Sequence, residues 1–139
     1  MLADSDFKIP VLDTIDDPIL RARNIRLQIL RLDLIHPQIS GNKWYKLKQN
    51  LLAAQAQRQQ TVLSFGGAYS NHLVALAAAS KASGLRSIGV VRGEAPRVLN
   101  SALQFAQDQG MTLHFVSRAE YRKKDEPAFL SELRQHFGP

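Results

Sequence analysis

The sequence contains no cysteine among its 139 residues, which excludes disulfide bonds and thiolate metal sites within the chain. Long apolar runs are also missing, and the longest candidates, such as LVALAAAS (73–80), are far too short to cross a bilayer. The first residues, MLADSDFKIPVLD, are acidic and lack the basic-then-apolar order of a signal peptide. We therefore predict a cytoplasmic protein with no membrane association and no metal site.

The hallmarks of nucleic-acid-binding proteins are likewise absent, although the net charge is +6. The 18 basic residues are spread along the chain, and the one short run, YRKKDE (121–126), ends in acids. Neither zinc-finger spacing nor an RNA-binding aromatic signature accompanies them. A solvated basic surface explains this charge better than a nucleic-acid partner, and we predict no such partner.

Apolar residues make up 45% of the chain, and from residue 41 onward their spacing alternates between helix and strand periods. The β-rich run TVLSF leads into a glycine pair, and the helical pattern that follows is closed by Gly84. Strands that alternate with helices of this length indicate βαβ units and a parallel sheet. Residues 24–35 alternate in part and change face, which indicates a strand with a bulge or an edge change. The predicted strands are 24–35, 61–65, 86–93 and 111–117, and the predicted helices are 42–60, 69–84, 96–110 and 126–138.

The predicted fold is therefore α/β, with a three-layer arrangement of a parallel sheet and flanking helices. In an alternating pattern the helix that ends at Phe137 should feed another strand, and none follows it. A parallel sheet of three strands, preceded by a long N-terminal arm, is also small for a complete fold. We expect the fold to be incomplete and the chain to be part of a larger protein.

VLSFGGAYSNHLVALAAA (62–79) runs from a strand through a glycine turn into a helix. In open parallel sheets, ligands bind at the carboxyl ends of the strands. Ser70 and Asn71 fall at or next to the helix start, where free backbone N–H groups favour an anion. The stretch matches neither the Walker loop nor the dinucleotide fingerprint. From position alone two roles stay open: an anion site, or a simple turn with Ser and Asn as helix caps.

ISGNKWYKL (39–47) places Lys43 at the start of a predicted helix. The helix dipole disfavours an ammonium group there, and lysine loses its charge readily when it is desolvated. A neutral amine is what Schiff-base chemistry requires. Lys46 lies on the same helical face at i+3, where it could hold a phosphate. The alternative interpretation of Lys43 is a solvated surface charge.

Together the two motifs, SGNKWYKL and FGGAYSNHLVALAAASKASGL, resemble the 1-aminocyclopropane-1-carboxylate deaminase / D-cysteine desulfhydrase family. The resemblance implies a fold-type II pyridoxal-phosphate enzyme, similar to the tryptophan synthase β-chain, and covers only the first half or less of a family member. It implies that residues 1–40 are an arm and strand of the large cofactor domain, and that 41–139 are a partial small α/β domain. It also implies pyridoxal 5′-phosphate as the cofactor, a small amino acid as the substrate, and a homo-oligomer at full length.

The resemblance also assigns roles to individual residues. Lys43 matches the lysine that forms the internal aldimine with the cofactor, and Asn71 matches the asparagine that hydrogen-bonds its 3′-oxygen. Ser70 matches the serine that contacts the substrate and is implicated in catalysis. Lys46 matches a motif lysine that reaches toward the phosphate.

Two departures from the family pattern bear on the substrate. His72 stands where deaminases proper tend to have glutamine, and SGNK has one glycine where deaminases often have two. Both favour the broader desulfhydrase-like group, which places D-cysteine ahead of 1-aminocyclopropane-1-carboxylate. The family's phosphate-binding loop would lie beyond Pro139, so we expect the isolated chain to be inactive. The alternative is a non-catalytic remnant or interaction module that keeps half of the fold.

Overall fold

Three parallel strands form the centre of the computed structural model, which describes residues 2–138. The strands lie side by side in chain order: β3 (Thr61–Gly67), β4 (Arg86–Arg92) and β5 (Thr112–Val116). In the register of the sheet, Thr61 is opposite Arg86 and Ile88 is opposite Thr112. The central strand β4 is buried from Ser87 to Val91, as its continuous apolar sequence predicts for a strand covered on both faces.

Helices cover both faces of this sheet. On one face lie α2 (Lys43–Ala56), α3 (Asn71–Ala82) and α4 (Ser101–Asp108), which share a core with the sheet. On the other face α6 (Pro127–Phe137) follows the short helix α5 (Arg118–Tyr121) and buries Phe129 and Leu133 against Val90 and Val116. The predicted α/β fold with a parallel sheet between helices is confirmed.

The central helix of the larger face, α3, is also the most buried one. Ala75, Ala77 and Ala79 are at most 1% exposed, and Leu73 is fully buried. Small side chains let α3 lie close to the sheet while it also contacts α2 and α4. The alanine-rich sequence therefore fixes α3 at the middle of the helical layer.

The N-terminal part of the chain forms a separate small sheet. β1 (Leu12–Ile15) and β2 (Leu27–Leu30) pair antiparallel around α1 (Pro18–Ala22). Most of their side chains are exposed, including apolar ones such as Leu12 and Ile29. Short 3₁₀ turns lie at Asp4–Asp6 and Leu32–Leu34.

Residues on either side of this small sheet attach it to α2. The ring of Phe7 stacks on that of Trp44 with a centroid distance of 4.2 Å. The backbone N–H of Lys8 donates to the carbonyl of Ile35 at 2.8 Å. Ile35 and Ile39 are buried in the same core as Trp44.

Two sequence-based boundaries were wrong. The strand predicted over 24–35 is confined to β2, because Asn24 has a positive φ of 54° and the chain turns again at Leu32–Leu34. The helix predicted from residue 96 begins at Ser101, because the Asn100 side chain caps α4 by accepting from the N–H of Leu103 at 3.0 Å. β1 and α1 were not predicted at all.

Residues 2–138 contain neither a membrane-spanning helix nor a cluster of metal-binding side chains. Over that range, no helix combines the length and the apolar character needed to cross a membrane. Within the same residues, no group of three or more His, Asp or Glu side chains is arranged to hold a metal ion.

Candidate active site

Lys43 is the first residue of α2, as the sequence predicted. Gly41, two residues earlier, has a φ of +66°, a left-handed conformation that glycine adopts without strain. The Asn42 side chain does not cap the helix; its Oδ1 accepts a hydrogen bond from Lys43 Nζ at 2.8 Å. Trp44 and Leu47 are buried in the first turn and hold it against the core. Lys43 is therefore half-buried at a fixed helix start, and its amine donates to the exposed side chain of its neighbour Asn42.

The second predicted motif forms the turn between β3 and α3. Ser70 is the N-cap of α3, and its Oγ accepts from the backbone N–H of Leu73 at 3.3 Å. The N–H of Ser70 in turn donates to the carbonyl of Gly67 at 3.1 Å. Asn71 is the first helical residue, and its side chain is exposed. The capping role of Ser70 is thus observed, and the exposed Asn71 amide remains able to contact a ligand.

Gly66 allows α3 to approach the strand closely. A Cβ at this position would lie 2.7 Å from Ser70 Oγ and 2.7 Å from Leu73 Cγ. Both distances are shorter than a Cβ contact in a real protein, so the atoms would overlap. Gly67 differs, because the nearest atom to a Cβ there would be Arg92 Nη2 at 3.9 Å. Only the first glycine of the pair is required for close contact between β3 and the start of α3.

His72, the second residue of α3, lies where α2 and α3 pack together and lines one cavity with Leu47 and Asn50 of α2. Burial is the main cause of its lowered pKa, and the positive charges of Lys43 and Lys46 in the first turn of α2 lower that pKa further. The two lysines are therefore near enough to His72 for their charges to act on it.

Ser64 and Asn100 support this region and were not identified from the sequence. Ser64 Oγ on β3 lies 2.9 Å from His72 Nε2, which orients the imidazole ring. The Asn100 side-chain amide donates to the carbonyl of Ala68 at 2.9 Å and so ties the turn after β3 to the start of α4. A polar residue before a helical pattern was the available signal for Asn100. The contact between Ser64 and His72 depends on how α3 is placed on β3, which the sequence does not reveal.

A cavity of about 310 Å³ adjoins this region. Ser64, His72 and Asn50 provide its polar lining, and Leu47 and Leu76 are among its apolar lining residues. It lies between α2, α3 and β3, on the same side of the sheet as the two helix starts.

The fold and the site together define a class of protein: an α/β unit with one lysine-bearing helix start and one Ser-Asn helix start on the same side of a parallel sheet. No profile of a known protein family matches the chain. A solved structure described as an ACC deaminase homologue superposes with a TM-score of 0.70 and 25% sequence identity, over 91% of this chain and 39% of that chain.

Two curated relatives point to the same family. A bifunctional D-cysteine desulfhydrase/1-aminocyclopropane-1-carboxylate deaminase, mitochondrial, from Arabidopsis thaliana is 31% identical over 115 residues, or 78% of this chain and 28% of the relative. A putative D-cysteine desulfhydrase 2, mitochondrial, from Oryza sativa subsp. japonica is 30% identical over 105 residues, or 73% and 25%. The chain is therefore related to part of a member of the D-cysteine desulfhydrase/1-aminocyclopropane-1-carboxylate deaminase family. It spans about a quarter of the length of these curated relatives.

Proposed function

We propose that the chain is part of a pyridoxal-phosphate-dependent lyase or deaminase that acts on a small amino acid, with D-cysteine ahead of 1-aminocyclopropane-1-carboxylate. The observation that carries this proposal is the placement of Lys43 at the start of α2, a helix that packs against α3, whose start bears Ser70 and Asn71. The names of the curated relatives support both substrates. The departure at His72 supports the order in which we place them.

The residues present fit the cofactor. Lys43 offers a half-buried primary amine whose bond to the exposed side chain of Asn42 is easily exchanged. Asn71 offers an exposed amide that can donate to the cofactor's 3′-oxygen. Lys46, exposed and on the same helix turn, provides a positive charge for the phosphate. When bound, the cofactor supplies the electron sink for bond cleavage next to the amino group.

The chain's own residues supply substrate binding and proton transfer. The first backbone N–H groups of α3 favour an anion, so the α3 start is suited to the carboxylate of an amino acid. Ser70 Oγ accepts from Leu73 and keeps its own proton to donate to the substrate. The amine of Lys43, once released by the substrate, can carry a proton at the reacting carbon. Burial and the charges of Lys43 and Lys46 lower the pKa of His72, which favours its uncharged form.

The chain represents only part of the proposed enzyme. Because it spans about a quarter of its curated relatives, we propose that it is inactive alone and that the whole protein forms a homo-oligomer. Residues 1–40 are proposed to belong with the large domain and 41–139 with the small one. A cytoplasmic location stays a prediction; the names of the two plant relatives place those proteins in mitochondria.

The test is a chimera in which this chain replaces the matching segment of the Arabidopsis thaliana relative. We expect the chimera to release sulfide from D-cysteine, and Lys43→Ala to abolish both this reaction and the borohydride-stable attachment of the cofactor. Lys48→Ala is the matched control, because Lys48 lies on the same helix but pairs with Asp4. A folded chimera that binds the cofactor equally well with Lys43→Ala would contradict the proposal and favour the non-catalytic remnant.

A further inference from the structure

The start of α2 is held in a different way from the starts of α3 and α4. Ser70 and Asn100 cap α3 and α4 with their side chains, whereas the side chain of Asn42 bonds to Lys43 instead of capping α2. A helix end without a side-chain cap leaves its first N–H groups to water and frays easily. The turn at risk of fraying is the one that carries Lys43.

Two residues of the N-terminal segment hold this turn from outside the helix. Asp4 Oδ1 accepts a hydrogen bond from the indole Nε1 of Trp44 at 3.1 Å. The ring of Phe7 lies on the indole, with an interplanar angle of 19°. Trp44 is 4% exposed, so its N–H would be poorly hydrated without the Asp4 carboxylate. We call these three residues the Asp4–Phe7–Trp44 clamp.

The Asp4 carboxylate is suited to this contact because it is ionised. Hydrogen bonds from Lys48 and from Trp44 lower the pKa of Asp4 below its usual value. The two bonds differ in weight, however. The ion pair with Lys48 is largely exposed to water, where such pairs contribute little, whereas the bond to Trp44 satisfies a buried donor. Lys48 is therefore not counted as part of the clamp.

The clamp and the candidate Schiff-base lysine occupy neighbouring stripes of α2. Trp44 and Leu51, seven residues apart, lie on the buried stripe. Lys43 and Asn50, also seven residues apart, lie on the adjacent stripe, where Asn50 lines the cavity that contains His72. Because a helix turns as one body, any rotation that releases Trp44 from the clamp moves Lys43 by the same angle.

A small rotation is enough to matter for chemistry at the amine. A helix with its side chains has a radius of about 5–6 Å, so a rotation of about 10° displaces a side-chain tip by about 1 Å. A displacement of about 1 Å between reacting groups can lower a rate by on the order of a hundredfold. The contacts that set the rotation of α2 are thus contacts that set the reactivity of Lys43.

We propose that Asp4 and Phe7 are positioning residues for Lys43, and that they act through Trp44 by fixing the first turn of α2. This inference rests on the proposed function, because it assumes that the amine of Lys43 is the reacting group. The clamp itself is independent of that chemistry and can be tested without it.

The first test follows amide hydrogen exchange in the 139-residue chain by NMR. The N–H groups of Leu47 and Lys48 bond to carbonyls of the first turn of α2. We expect Asp4→Ala to speed the exchange of these two amides by on the order of tenfold, while the amides of α3 and β4 keep their rates. Phe7→Leu should act in the same way. Lys48→Ala is the matched control, and it should change the Leu47 amide by less than about twofold.

The second test uses the chimera described above. We expect Asp4→Ala to slow the borohydride-stable attachment of pyridoxal phosphate to Lys43 by on the order of tenfold, and to lower kcat for D-cysteine with little change in KM. Asp4→Asn keeps a side-chain oxygen for the indole N–H of Trp44, so it should restore most of both rates.

The outcomes separate this inference from the proposed function. Unchanged exchange of the Leu47 amide in both Asp4→Ala and Phe7→Leu would overturn the clamp, as would equal acceleration in α2, α3 and β4. Faster exchange in α2 together with an unchanged rate of cofactor attachment would overturn the positioning role. If Lys43→Ala leaves cofactor attachment in the chimera unchanged, the proposed function fails, and the positioning role for Lys43 fails with it even where the exchange test supports the clamp.

Discussion

Gly66→Ala is expected to destabilise the chain far more than Gly67→Ala, although the two glycines are adjacent. The new Cβ at position 66 would overlap Leu73, which is fully buried, and Ser70, which caps α3. Overpacking of a core costs about 1–3 kcal/mol, and a displaced N-cap costs about 0.5–2 kcal/mol. We therefore expect the free energy of unfolding to fall by about 2–4 kcal/mol, a large part of a typical domain's stability.

Urea unfolding followed by circular dichroism measures this difference, with Gly67→Ala as the control. Position 67 has room for a methyl group, and a Gly→Ala change at a compatible site stabilises by about 0.4–1 kcal/mol through the unfolded state. Part of the cost at Gly66 comes from Ser70 Oγ, so Gly66→Ala should cost less in a Ser70→Ala background than in the wild type. Equal denaturation midpoints for the two alanine variants would refute the reasoning.

Three further predictions follow from the site and the fold. Ser70→Ala should lower the free energy of unfolding by about 0.5–2 kcal/mol through loss of the cap, and Asn71→Ala should leave it nearly unchanged. Equal losses of stability for the two variants in thermal melts would mean that both residues have only a structural role. Burial and two nearby lysines lower the pKa of His72, so the unfolded chain takes up a proton first as the pH falls below about 6.5. Stability should therefore decrease over that range, and His72→Gln should flatten the pH profile of urea midpoints; an unchanged profile would contradict this. Finally, the exposed apolar side chains of the N-terminal sheet predict self-association, which light scattering would detect. They also predict faster amide exchange in residues 2–40 than in residues 60–116. A monodisperse monomer with uniform protection from exchange would contradict both expectations.

The parallel sheet and its main helices could be predicted because their signals are local. β4 contains the β-branched residues Ile88, Val90 and Val91, and α3 is an alanine-rich segment closed by Gly84, so each pattern favours one kind of element. The start of α4 could not be predicted in the same way. Pro96 is a common first helical residue, but the helix begins at Ser101 because Asn100 caps it and also bonds to the turn after β3. That second bond joins residues distant in sequence, and no local pattern reports it.

In the candidate site, too, some residues could be placed from the local sequence and others could not. The positions of Lys43 and Ser70 at helix starts follow from the residues around them, and the structure places both there. The role of Ser64 could not be found, because its contact with His72 exists only once α3 has folded back onto β3. β1 was missed because it is four residues long and mostly exposed, so it lacks the burial that produces a clear alternation.

A hydrogen bond joins Lys8 to Ile35 where the chain leaves and re-enters the main unit, and the N–H of Gly41 donates to the carbonyl of Leu32 at 2.8 Å. Residues 9–31 are thus an excursion whose two ends are already close, while Phe7 before it and Leu32 after it remain packed against the α2 core. In topological terms this excursion behaves as an inserted module, and the cost of closing the chain over a short substitute is small. Residues 9–31 could be exchanged for a brief glycine linker, leaving the Phe7–Trp44 stack, the Leu32–Gly41 bond before α2 and the parallel sheet in place.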